Sequence, residues 1–118
     1  MTTIEIPSYI TRAKSLIDLT LITSDLLEKA GDSGLPAPGY FSVSQSGQEV
    51  FLQFGDTPDS FQAMAQWAER FGGTVTASPH HDRDGRETAH VQVRFAHLGV
   101  HVEAYAFITA GQTASSTP

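Results

Sequence analysis

The chain has 118 residues, a formal charge of −6 from 7 basic and 13 acidic side chains, and no cysteine. That length can close one hydrophobic core, so a single domain over residues 1–109 is expected. Without thiols there can be no disulfide framework, no Cys-ligated zinc or iron–sulfur site and no thiol nucleophile.

The few Lys and Arg are scattered, which leaves no track for a phosphate backbone, so direct nucleic-acid binding is not expected. An acidic mimic of nucleic acid needs carboxylates gathered on one face, whereas these run from Glu5 to Glu103, and that reading ranks third. No apolar run approaches the ~20 residues of a membrane helix. Met1-Thr2-Thr3-Ile4-Glu5 lacks the basic start of a signal peptide. A cytoplasmic protein without a membrane partner is the expectation.

In chain order, a helix is expected over Ile6–Ala30, with Ile10, Ala13, Leu16, Ile17 and Leu21 at helical spacing. Pro7 and Ser8 suit its first turn, and Lys29-Ala30-Gly31 its last. The β-branched run from Thr20 to Thr23, followed by Ser24 and Asp25, leaves a break into two helices open. Gly31–Gly39, with Pro36 and Pro38, reads as a loop. From Tyr40 the period changes to two. A turn at Ser46-Gly47 sets Val43 opposite Val50 and Phe41 opposite Leu52, a hairpin with all four on one face.

Thr57-Pro58-Asp59 then opens a second helix carrying the stripe Phe61, Met64, Ala65, Ala68 and Phe71, which Gly72-Gly73 ends. Thr74–Ala77 is expected as a short strand and Ser78–Thr88 as a polar loop. Val91, Val93 and Phe95, then Val100, Val102, Ala104 and Ala106, alternate with polar residues about a turn near Leu98-Gly99, which makes a second hairpin. Ala110–Pro118 is small and polar and is expected to be a disordered tail.

The class is therefore α+β: an antiparallel sheet of two hairpins plus a short strand, with two helices packed on one face. If Thr2–Ile6 forms a strand, the first part reads βαββαβ, the ferredoxin-like order. The leading helix, the Pro-containing loop, the Gly-turn hairpin, the helix ending in Phe71-Gly72-Gly73 and the closing Phe95-Ala96-His97-Leu98-Gly99-Val100 span most of the chain. In that arrangement the chain resembles small α+β proteins of unknown function from actinobacteria and their phages. The resemblance implies a bacterial or phage origin and carries over no activity.

Three groups of residues are candidate sites. His80, His81, Asp82 and Asp84 in the expected loop are weak candidates for a divalent metal. Adjacent histidines point apart in most backbone conformations, and the spacing is not that of a calcium loop, so a solvated turn at Asp84-Gly85 is preferred. No cofactor is expected.

On the polar face of the second hairpin, His90, Gln92, Arg94, His101, Glu103 and Tyr105 share one side, with Arg94 opposite Glu103 or, in a register shifted by two, opposite His101. Histidine beside carboxylate suits acid–base chemistry, but no nucleophile or phosphate loop accompanies them.

The third group is an apolar surplus: Phe51, Tyr105 and Phe107 on the outer side of their strands, and Trp67 beside the helical stripe. Aromatics outside the core are common interface anchors. The leading expectation is thus a non-enzymatic protein-binding or regulatory module acting as a homo-oligomer through the outer face of its sheet. The alternative is a metal-dependent or histidine-based enzyme using the 80–90 loop.

Overall fold

The computed structural model describes residues 13–81 and 83–109. The expected strand Thr2–Ile6, the helical turns expected from Ile6 to Arg12, the tail Ala110–Pro118 and Asp82 lie outside the described residues.

Helix α1 (Leu16–Asp32) opens on a capping box, in which Ser15 Oγ accepts from Asp18 N and the Asp18 carboxylate accepts from Ser15 N, both at 3.1 Å. This reciprocal cap fixes the start at Leu16, so the expected helix through Ala13, Lys14 and Ser15 is not found. The helix continues unbroken past Ser24. Thr20 and Thr23 donate to the carbonyls of Leu16 and Leu19, at 2.7 and 2.8 Å, instead of starting a new cap. Its buried stripe is Leu19, Thr23, Leu26 and Ala30, whereas Leu16, Ile17 and Leu21 are exposed. Apolar residues on more than one side of the helix left the buried side to be chosen by tertiary contact.

Strands β1 (Tyr40–Ser44) and β2 (Glu49–Gln53) pair with Phe41 opposite Leu52 and Val43 opposite Val50, the register that the alternation predicts. The turn spans Gln45–Gln48, and its positive φ of 54° falls on Gln48, not on Gly47.

Helix α2 (Asp59–Phe71) lies rotated from the expected stripe. It buries Ser60, Ala63, Met64, Trp67 and Ala68 and leaves Phe61 46% exposed. Trp67 is therefore a core residue and not an interface anchor. It is 0% exposed, its Nε1–H donates to Pro36 O at 2.8 Å, and its ring meets Phe54, Phe71 and Phe95. Burying the largest side chain outweighs burying Phe61, because the 31–39 loop supplies the one hydrogen bond an indole needs. Gly72 caps the helix at φ 88°.

The expected polar loop Ser78–Thr88 is mostly strand. β3 (Val75–His81) and β4 (Glu87–His97) pair from Val75–Val93 to His81–Glu87, which leaves only a short turn between them. Pro79 reads as a strand breaker, but β3 is a sheet edge, where a residue without an N–H is tolerated. β4 and β5 (Val100–Thr109) join through Leu98 and Gly99, at φ 49° and 79°, the positive pair of a two-residue hairpin turn. This places Glu103 opposite Arg94.

The strand order is β1-β2-β5-β4-β3, with β2 and β5 parallel and every other pair antiparallel. The expected antiparallel sheet is thus mixed, because α2 carries the chain to the far edge and β5 returns to the centre alongside β2. The described elements do not follow the ferredoxin-like order. The α+β class holds, with α1 against β1 and β2 and α2 against β3, β4 and β5. Val50, Leu52, Val91, Val93, Phe95, Val100, Val102, Ala104 and Ala106 form the sheet's share of the core. No helix among the described residues is long and apolar enough to cross a membrane.

Candidate functional site

Because both helices cover one side of the sheet, the residues of opposite parity form a second side that no described helix covers. Register places them in rows across the strands. Ser42, Phe51, Glu103 and Arg94 make one row; Tyr40, Gln53, Tyr105, Gln92 and Thr76 make the next; Phe107, His90 and Ser78 follow, and then Thr109, Thr88 and His80.

The aromatic part of this face is an organised cluster. The Phe107 ring stacks on His90 at 4.8 Å and 18°, meets His80 at 5.0 Å, and stands edge-on to Tyr105 at 5.9 Å and 79°. Tyr105 Oη donates to Gln53 Oε1 at 2.8 Å, and Tyr40 Oη donates to the same oxygen from the other side. Burial of the Tyr105 phenol, then the charges of Tyr40 and Glu103, push its pKa above the ordinary value, so it remains a donor. Phe51, Tyr105 and Phe107, expected together, do lie on this one face and are each half-buried, while Tyr40 is 59% exposed.

The polar candidates sit at the other end of the same face. Arg94 Nε donates to Glu103 Oε1 at 3.0 Å, with the Arg94 side chain 70% and the Glu103 side chain 16% exposed. His101 lies next to Glu49 across the parallel pair and lines, with Glu49, Arg94 and Glu103, an open recess of about 410 Å³. His90 is not part of this polar group, since its ring packs on Phe107 and Tyr105. A surface pair such as Arg94–Glu103 contributes about 0.2–1 kcal/mol and supplies no proton relay on its own.

The proposed metal loop is reorganised by the extension of β3. His80 lies on the outer face against Phe107, His81 is the next residue of the same strand and so faces the opposite way, and Asp84 lies in the turn. Asp82 lies outside the described residues. Among the described residues no three His, Asp or Glu side chains converge in a way that could hold a metal ion.

Sequence reasoning missed Tyr40, Gln53 and His80 as members of the outer face. The first two follow from the hairpin register already in hand, which opposes Tyr40 to Gln53. His80 was hidden by Pro79, although Thr76, Ser78 and His80 alternate as a strand does. A further polar contact, between His97 and Asp25, joins β4 to α1 on the covered side and carried no local signal. Comparison of the chain with models of protein families, with curated proteins and with solved structures finds no match.

Proposed function

We propose that this domain is a non-enzymatic binding module that associates with a second copy of itself through the outer face of its sheet. The observation that supports this reading is the clustering of Phe51, Tyr105, Phe107, Tyr40, His80 and His90 on the side that no described helix covers. Sheets pack face to face about 10 Å apart, and aromatic side chains of two such faces can interdigitate at that spacing. With strands about 4.8 Å apart and residues about 3.3 Å apart, the face offers roughly 500 Å² per copy, about 1,000 Å² in all, which is below the range of stable interfaces and in that of weak, transient ones. Association in the micromolar range is the expectation, so that the dimer fraction rises with protein concentration.

The test is a pair of charged substitutions. Phe51→Glu, on the outer face, should reduce the mass in solution to that of the monomer while leaving the near-ultraviolet circular dichroism of Trp67 intact. Phe41→Glu, on the opposite parity of β1, should leave the mass unchanged. Equal masses for both variants and the wild type would refute this interface.

A further inference from the structure

At the β1 end of the outer face, Gly39, Tyr40, Gln53, Phe54, Gly55, Asp56 and Phe107 line a recess of about 160 Å³. Its walls are held in place without being covered. The Tyr40 hydroxyl is tied to Gln53, yet 59% of the residue is exposed. Phe107 is braced by His90 and His80 and stands edge-on to Tyr105. Asp56 is one of the lining residues, and its position is set by Thr109, whose backbone N–H donates to Oδ1 at 3.0 Å and whose hydroxyl donates to Oδ2 at 3.1 Å. None of the lining residues is basic.

We infer that this recess binds the head group of an organic cation, an alkylammonium or a guanidinium. Aromatic faces attract a cation placed within about 6 Å of the ring centroid, and the attraction grows when part of the cation's hydration is lost. Tyr40 and Phe107 are the aromatic side chains of the outer face that line the recess, and Asp56 is the one carboxylate in its lining. The recess is close in size to the roughly 150 Å³ that admits a benzene-sized guest in other proteins, which suits a compact ammonium. The net charge of −6 adds a long-range bias toward cations. This deepens the reading above by naming what a partner brings, and it rests on that reading only in taking the outer face as the working surface.

Amide chemical shifts in the full chain test it. Choline is titrated to about 20 mM, the range of a millimolar site, against 3,3-dimethylbutanol, its neutral isostere. Choline should shift the amides of Tyr40, Gln53, Asp56 and Phe107, and the neutral alcohol should not. Asp56→Asn, which keeps an acceptor for Thr109, and Tyr40→Leu, which keeps the bulk but not the ring, should each weaken choline binding by about threefold to fivefold.

N-acetyl-lysine methylamide and N-acetyl-arginine methylamide distinguish the sources. Tighter binding of either amide than of choline assigns the site to a protein side chain, and the reverse assigns it to a free quaternary ammonium. Equal shifts from choline and the neutral alcohol, or no shift with any cation, would overturn the inference. Because a second copy on the outer face would cover this recess, the titration is run on Phe51→Glu, which leaves the recess lining unchanged. A monomeric wild-type mass alongside a choline response would reject self-association alone, and a monomeric Phe51→Glu without that response would reject the cation site alone.

Discussion

His97 Nε2 on β4 lies 2.8 Å from Asp25 Oδ2 on α1, a contact between residues 72 apart in the chain. The same carboxylate oxygen takes Lys29 Nζ at 3.0 Å, one helical turn on. His97 also presents its ring edge-on to Phe71 at 6.1 Å, so one imidazole joins both helices to the sheet.

The hydrogen bond from His97 and then that from Lys29 hold the Asp25 carboxyl below its ordinary value of 3.8. A depressed carboxyl pKa stabilises the fold above the unfolded value and ceases to do so as the pH falls through the folded one. Thermal unfolding of wild type and Asp25→Asn should therefore differ at pH 6 and converge as the pH is lowered below 3.8. A constant difference across that range would contradict this account of α1 docking.

Trp67 is the centre of the core, and its loss should be severe. Trp67→Ala should cost about 3–5 kcal/mol by urea denaturation, the usual range for deleting a buried aromatic. Trp67→Phe should cost less, although it orphans the Pro36 carbonyl that now accepts from the indole.

Two adjacent glycines should respond for different reasons. A methyl group at Gly73 would lie 2.6 Å from Val93 Cγ1 and 2.8 Å from Arg94 O, so Gly73→Ala should cost about 1–3 kcal/mol through overpacking. Gly72 has open space but sits at φ 88°, so Gly72→Ala should cost about 1–2 kcal/mol through backbone strain alone. Relieving the crowding with Val93→Ala should rescue part of the first loss and none of the second.

The Arg94–Glu103 pair should matter little, because the Arg94 side chain stays 70% exposed although that of Glu103 is only 16% exposed. Arg94→Ala should change stability by less than about 1 kcal/mol, and high salt should reduce even that. Chemical denaturation at low and high ionic strength checks it.

Of the three hairpins, β1–β2 and β4–β5 were legible from their alternation, while β3–β4 was not, its strand residues reading as a polar loop with Pro79. Val43 and Val50 share a face whichever residue of the turn takes the positive φ, and Leu98-Gly99 fixes where Glu103 meets Arg94. The helix faces were not legible. Leu16, Ile17 and Leu21 have the spacing of a buried stripe yet lie outside, and Phe61 lost its place to Trp67, because tertiary contact chooses among apolar faces that periodicity leaves equal. The parallel pairing of β2 with β5 is a long-range choice with no trace in local pattern. Of the aromatic face, Phe51, Tyr105 and Phe107 were readable from parity alone, while His80 was concealed by Pro79 and Trp67 was misplaced with the helix rotation.

The central claim is that the outer face of the sheet is an association surface. Size-exclusion chromatography with light scattering, on wild-type protein with a metal chelator present, tests it most directly. The account predicts a concentration-dependent rise from the chain mass of 12.7 kDa toward twice that value at protein concentrations near 100 micromolar, which lie well above a micromolar dissociation constant. A mass that stays at 12.7 kDa at every concentration would contradict it.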